Sequence, residues 1–378
     1  MVTSQFFGAG DDKSTRRAIS NSAYVMLFSA LLMGLMAYLA APTVLKWMGT
    51  PEEILHDALI YMRVNCLGVP MVAVYNYASS MQRALGDSRT PLYFLVASCL
   101  LNIGLDLLFV CGLGLSVFGA ALATVIAQFL AGALCWAWAA RTNPYFRLEK
   151  EEYRPDGAII LRSVRLGLPL AMQWSMISVS SIALQTFVNS FGTAAVAAFT
   201  ATNRVESLLH QPYGSLGAAL STYAGQNWGA GHTSRVRDGV KQGLLLSTGF
   251  SLVMLAVIQL LSRPIMTVFV TEPDVILIGG QALCITSGFY AFLGFIYVVR
   301  GALNGVGDAL FAFINGTVEM AARIFIPVLM LRLIPAAGMW SIWWTTCLTW
   351  VISALFCFLR YRSWKRKNAT EANDVGMG

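Results

Sequence analysis

Long apolar runs alternate with short polar turns along almost the whole chain. Runs of about 20 residues, the length that crosses a ~30 Å hydrocarbon core as a helix, lie at roughly 22–45, 54–80, 91–111, 117–140, 162–186, 193–222, 240–262, 275–300, 309–331 and 337–360. None shows the two-residue alternation of a transmembrane barrel strand. Gly, Ser and Thr are scattered through the runs, as close packing of helices in lipid requires. The pattern therefore predicts ten transmembrane helices in an all-α polytopic membrane protein. A single soluble domain of 378 residues could not bury ten such segments.

Composition agrees: 57% of residues are hydrophobic, 12% are charged, and mean hydropathy is +0.63, well outside the soluble range. The net charge of +7 is spread by topology rather than gathered in one patch, so no nucleic-acid partner is expected. With ten spans both termini share a side. That side carries Lys13, Arg16, Arg17, Arg83, Arg89, Arg141, Arg147, Lys150, Arg154, Arg162, Arg235, Arg237, Lys241 and the basic tail from Arg360, whereas the other carries only Lys46, Arg263 and Arg332. The positive-inside rule predicts that both termini are cytoplasmic, and a cell (plasma) membrane location is expected. All seven cysteines fall inside predicted spans without metal-ligand spacing, and a reduced packing role is expected. Residues 1–20 are polar, with Asp11 and Asp12, unlike a cleavable signal peptide.

Two segments are near copies. QFFGAGDDKS at 5–14 and QNWGAGHTSR at 226–235 align at an offset of 221, which superposes Gln5, Gly8, Ala9, Gly10 and Arg16 on Gln226, Gly229, Ala230, Gly231 and Arg237. The same ungapped offset carries Thr50 onto Thr271 and Gly86-Asp87 onto Gly307-Asp308. Three separated matches at one offset indicate duplication. Charges recur on the same side in both copies, which predicts parallel repeats about an axis along the membrane normal, with a pathway between them. The expected organisation is a four-helix amino-terminal lobe at 1–140, a charged cytoplasmic linker at 141–161, a six-helix carboxy-terminal lobe at 162–361 and a polar cytoplasmic tail at 362–378. Moving the spans 162–186 and 193–222 back by 221 places them before residue 1, so the first lobe is expected to lack its first two helices.

With these motifs in view the chain resembles the multidrug and toxic compound extrusion (MATE) family. The resemblance is carried by the Q-x-x-GAG turns at 5–10 and 226–231, RALGDSRTPLYF at 83–94, LNIGLDLLF at 101–109, LGLPLAMQ at 166–173, AAFTATNRVESL at 197–208 and VEMAARI at 318–324. It implies twelve helices in two six-helix lobes, of which about ten are present here, and export of organic cations or other amphiphiles against H⁺ or Na⁺. The superfamily also includes flippases for lipid-linked sugars. The first helix, which in many proton-coupled members supplies a carboxylate, is not in this chain. The 162–186 span, where sodium-coupled members often place an acid, offers Gln173, Ser175, Ser178 and Gln185 instead.

Polar side chains inside the spans are candidate site residues, because a charge at mid-bilayer costs at least about 2.5 kcal/mol unless partnered or solvated. Glu319 and Arg323 are spaced i, i+4, within ion-pair reach on one helix face. They either fix helix packing or form a proton-sensitive latch. The 221 offset puts Ser98 and Asn102 at their positions in the first repeat, so the charged pair belongs to the carboxy-terminal lobe alone. Glu206 and His210 also share a face at i, i+4, with Asn203, Arg204 and Gln211 nearby, which predicts a cavity lining or pairing across the bundle. Asn102 and Asp106 could hold a cation or cross-link helices. Arg63 calls for an acid or helix-end carbonyls in its own lobe, with Asp106 one candidate. Arg300 and Asn304 read as cytoplasmic surface anchors, and Asp57 as interfacial. Aromatic residues such as Tyr290 suit flat hydrophobic cations through apolar and cation–π contact.

The candidates are thus Glu206, Glu319, Arg323, Asn102 and Asp106 for cation coupling, and Gln173, Gln185, Asn203, Arg204, His210 and Tyr290 for the substrate cavity. The expected function is a monomeric secondary exporter, embedded in membrane lipid, that takes small cationic or amphiphilic molecules by alternating access. It would need no cofactor beyond the coupling H⁺ or Na⁺. A flippase for lipid-linked precursors would instead predict a more cationic cavity, and a non-functional truncated fragment is a further alternative. Neither a nucleotide-binding loop nor HExxH, GxSxG or paired catalytic aspartates occurs, so no enzyme is expected.

Overall fold

The computed structural model describes residues 1–374, with side chains to 368. Among them all regular secondary structure is helical: α1 (Val2–Gly8), α2 (Asp12–Trp47), α3 (Glu52–Ala84), α4 (Arg89–Asp106), α5 (Ser116–Thr142), α6 (Gly157–Asn189), α7 (Thr193–Gly229), α8 (Thr233–Thr267), α9 (Pro273–Ser287), α10 (Tyr290–Val306), α11 (Ala309–Leu333) and α12 (Ser341–Asp374). Eight spans among the described residues are long and apolar enough to cross a membrane, and nine if α9 and α10 together make one. The expected tenth is α7. It is long enough at 37 residues, but Asn203, Arg204, Glu206, His210 and Gln211 interrupt its apolar surface. The expected continuous span at 275–300 is broken instead, with a bend of 52° between α9 and α10. Ser287-Gly288 sits at the break, a pair that weakens a helix where it must kink.

Contacts divide the chain into two compact units, residues 2–164 and residues from 165 onward together with Met1. In the first unit α3 packs between α2 and α5. Close approach there depends on Gly132, where a Cβ would meet the Tyr75 backbone nitrogen at 2.6 Å. The segment 143–156 is no free tether. The Ser20 hydroxyl donates to the Glu152 carbonyl, Tyr24 donates to Tyr153 O (2.6 Å), and the Asn21 amide accepts from Asp156 N (2.7 Å). Two ion pairs, Arg16 with Glu152 and Arg17 with Asp156, flank these bonds. All these α2 residues recur at three- to four-residue spacing, so one helix face binds the segment.

The second unit is built on α7 and α10. Here Gly301 meets Gly217 so closely that a Cβ on Gly301 would lie 2.3 Å from Gly217 O, and one on Gly305 equally close to Ser221 O. Small residues at one-turn spacing are what let two membrane helices touch backbone to backbone. The 221-residue repeat is visible in the backbone: Gly10 and Gly231 have φ +69° and +76°, Gly86 and Gly307 +94° and +98°. A left-handed residue after each helix end requires glycine at both copies.

Candidate functional site

The second unit holds a cavity of about 400 Å³ whose wall brings together side chains from five helices. Trp174, Ser181 and Gln185 come from α6, Asn203, Glu206 and His210 from α7, Tyr297 and Arg300 from α10, Glu319 and Arg323 from α11, and Trp350 from α12. A second cavity of about 500 Å³ shares Trp174, Ser207, His210, Tyr297 and Arg300 with it and adds Gln173, Gln211 and Asn304. Together they gather polar and charged side chains, among apolar ones, inside a helical unit whose outer surface carries many exposed apolar residues, as membrane burial of polar groups requires.

The charges on this wall are not arranged as the i, i+4 spacing suggests. Glu319 does not pair with Arg323. Its Oε1 lies 3.5 Å from Arg300 Nη1, and both side chains are under 10% exposed. The same oxygen accepts from Asn315 Nδ2 (3.1 Å) and the Ser353 hydroxyl (2.9 Å). Arg300 is accordingly no surface anchor: it is buried, and its guanidinium also lies 5.0 Å from the Tyr297 ring. The reason is tertiary. Helical spacing puts Arg323 within reach of Glu319, but α10 and α12 bring an arginine and a hydroxyl to the opposite side of the carboxylate, where two neutral donors complete its shell.

Arg323 turns to α6 instead, donating from Nη1 to the hydroxyls of Ser180 (3.2 Å) and Ser181 (3.3 Å), while its Nε has no partner. Glu206 is 6% exposed, its Oε1 has no hydrogen-bond partner, and the Thr286 hydroxyl stands beside the carboxyl. The His210 ring meets Trp350 edge-on at 5.9 Å, and its Nε2 is also unpartnered. Buried polar atoms are satisfied in the great majority of sites, so Glu206, His210 and Arg323, each with a buried unpartnered atom and each lining this cavity, are the candidates for ligand contact.

Of the sequence candidates, Glu206, His210, Asn203, Gln185, Glu319 and Arg323 line the first cavity and Gln173 the second. Arg204 is exposed and lines neither. Tyr290 is fully buried, 6.0 Å from Trp350 between ring centres, and also lines neither. In the first unit Asn102 is 3.4 Å from the Thr124 hydroxyl, and Asp106, with one unpartnered oxygen, ends α4 where the helix widens into a π turn at Leu107–Gly112. No ion pair joins Asp106 to Arg63 among the described residues; Arg63 lies over the Tyr38 ring at 5.2 Å. Asn315 and Ser353 were not singled out from the sequence. Asn315 stands one turn before Glu319 and carried a readable signal, whereas Ser353, on another helix, carried none.

The family model MatE matches residues 1–108 and 169–329. The chain belongs to the MatE family. Among curated MatE-like relatives, the probable multidrug resistance protein YpnP of Bacillus subtilis (strain 168) is 30% identical over 316 residues, 82% of this chain and 69% of that protein. The probable multidrug resistance protein YoeA of the same strain is 26% identical over 317 residues, 82% of this chain and 68% of that one. The fold matches a crystal structure of a MATE protein in a bent conformation, with TM-score 0.90, 20% identity, and coverage of 100% of this chain and 83% of that one. It also matches a MOP superfamily transporter from Pyrococcus furiosus, with TM-score 0.88 and 20% identity over 96% of this chain and 81% of that one. That structure is described as having a binding pocket of reverse polarity. This MatE chain is therefore an all-α, multi-pass membrane protein.

Proposed function

We propose that this chain is a secondary active exporter, moving small amphiphilic molecules out of the cell against a flow of H⁺ or Na⁺ by alternating access. The observation that carries the proposal is the Glu206 carboxyl, buried with its Oε1 unpartnered in a residue that lines a cavity large enough for a small organic molecule. A buried carboxyl without a fixed counter-ion takes up a cation when the cavity admits one. If that cation binds one lobe state more tightly than the other, its gradient shifts the balance between states and drives substrate outward. The description of YpnP and YoeA as probable multidrug resistance proteins supports the same substrate range. The basic residues of one face support a plasma-membrane setting with both termini cytoplasmic, and a cavity formed within one chain suits a monomer that transports without chemical change. The wall carries two arginines against two glutamates, which gives the flippase alternative no excess of positive charge to rest on.

The test is dye efflux from cells, or from proteoliposomes, under an imposed pH or Na⁺ gradient. Efflux should follow one of the gradients and fall at least tenfold in Glu206→Gln. Absence of efflux under either gradient would remove the exporter assignment, and undiminished efflux in Glu206→Gln would remove Glu206 from the coupling role.

A further inference from the structure

Apart from the cavity, α11 and α12 leave a groove of about 410 Å³ between them, near the basic end of α12. Its walls are apolar. Leu310 and Ile314 of α11 and Phe356 and Leu359 of α12 are exposed along it, and the buried Phe311 stacks on Phe356 with ring centres 6.2 Å apart. Its mouth is polar, formed by Asp308, Arg360 and Ser363. None of these residues lines the cavity that holds Glu206.

The arginine at the mouth is held in place by an acid diverted from another task. In the first repeat Asp87 caps α4, its Oδ1 accepting from the backbone N–H groups of Arg89 (3.1 Å) and Thr90 (3.0 Å). Its counterpart Asp308 makes no side-chain cap at the start of α11. Both Asp308 oxygens turn to Arg360 instead, accepting from Nε at 2.6 Å and Nη2 at 3.1 Å. The 221 offset puts Ala139 at the arginine's place in the first repeat, so the charged mouth belongs to the second copy alone. Such a fork fixes the plane of a guanidinium. Nη1 takes no part in it, and the Arg360 side chain is 45% exposed. Helical spacing sets Arg366 and Lys367 three and four residues beyond Ser363, on the same side of α12 and both exposed. Among the described residues of this face, three cations thus accompany one carboxylate. A zwitterionic phospholipid leaves that excess unmatched, whereas an anionic one meets it.

We propose that the groove binds one anionic phospholipid of the adjoining leaflet, such as phosphatidylglycerol. An acyl chain lies between α11 and α12 along Ile314 and Phe356, and the phosphate accepts from Arg360 with the Ser363 hydroxyl beside it. The site lies outside the cavity, so it does not depend on the reading of the chain as an exporter.

Native mass spectrometry of the purified full chain counts bound lipids one at a time. Titrated in detergent with phosphatidylglycerol or phosphatidylethanolamine of identical acyl chains, the chain should take its first phosphatidylglycerol about tenfold more tightly. Arg360→Gln should remove the preference. Ile314→Trp, which fills the groove from its exposed side, should weaken the binding of that first lipid by a similar factor. Arg366→Gln with Lys367→Gln should reduce the preference, whereas Arg362→Gln with Lys365→Gln, which removes two charges from the other side of the helix, should leave it unchanged. Equal binding of the two lipids by the wild-type chain overturns the proposal, and that comparison needs no variant to fold. Equal loss of preference in the two double variants overturns it as well, because binding then follows the net charge of the tail. Unchanged phosphatidylglycerol binding in Ile314→Trp removes the groove, and the site with it.

Discussion

Arg300 and Glu319 form a buried ion pair, 3.5 Å apart, that joins α10 to α11 and is completed from α12 by Ser353. Breaking such a pair from one side leaves a charge with neither water nor partner, a loss of about 3–5 kcal/mol, whereas replacing both partners by neutral groups of similar shape is close to neutral. We expect Glu319→Gln and Arg300→Met each to lower the melting temperature in detergent clearly, and the double variant to recover much of the loss. Additive destabilisation in the double variant would show that the two groups do not depend on each other. Glu319→Gln would then also leave binding at the cavity largely intact, in contrast to Glu206→Gln.

Helix α7 meets α10 through glycines, not side chains. A methyl group at Gly301 would lie 2.3 Å from Gly217 O, backbone against backbone, with no flexible atom able to move aside. Overpacking of this kind costs about 1–3 kcal/mol, and here it also pushes apart the helices that carry Glu206 and Arg300. We expect Gly301→Ala to lower both thermal stability and dye efflux. Gly249→Ala, at a position with open space around it, should change neither. Equal stability of the two variants would contradict the close approach.

What could be read beforehand and what could not divides along one line. Glu206 and His210 were legible because polar residues at i, i+4 in an apolar run stand out whatever surrounds them. The Glu319–Arg323 pair was misread because spacing on one helix gives reach but not competition. Arg300 looked like a terminal anchor by its place in the sequence, and only the crossing of α10 with α11 reveals it as the better partner. The break between α9 and α10 was hidden for a related reason: Ser287-Gly288 permits a kink, but the same residues occur in unbroken membrane helices. The repeat, by contrast, was fully legible, since Gly10 with Gly231 and Gly86 with Gly307 hold matching left-handed turns.

The turn before α2 is capped by Asp11. Hydrogen bonds from Ser14, first through its side chain and then through its backbone N–H at 2.9 Å, hold the Asp11 carboxyl below the usual carboxylate range. The sign follows: a carboxyl with a depressed folded pKa adds stability above its unfolded value, about 3.9, and loses it as pH falls through the lower folded value. Asp11→Ala should weaken the first turn of α2 by about 1 kcal/mol at neutral pH, measured by hydrogen exchange of the Ser14 and Thr15 amides. Asp11→Asn should keep the cap and lose its dependence on acid pH. His232 holds this place in the second repeat without a side-chain cap, so the corresponding His232→Ala should leave the start of α8 unchanged.

The segment 143–156 has the composition of a mobile linker, yet three consecutive carbonyls, Glu152, Tyr153 and Arg154, accept hydrogen bonds from Ser20, Tyr24 and Asn21 of α2. Asn21 is the centre of this contact. Fully buried, it donates to Arg17 O and Arg154 O and accepts from Asp156 N. Replacing it by alanine leaves a backbone N–H and a carbonyl without partners, each worth about 1 kcal/mol or more when buried. The segment contains Arg147 and Lys150, so its opening can be read by limited trypsin digestion. Where the segment closes faster than it is cut, cleavage tracks the population of the open form, and a loss of about 1.4 kcal/mol raises that population about tenfold. Asn21→Ala should therefore be nicked after Arg147 or Lys150 about tenfold faster than the wild-type chain, and Tyr24→Phe, which removes one bond at the rim, by a smaller factor. An unchanged rate in Asn21→Ala would mean that the two ion pairs, Arg16 with Glu152 and Arg17 with Asp156, hold the segment by themselves. Repeating the digestion at high salt then decides that point, because these partly exposed pairs are weakened by screening while the amide contacts are not.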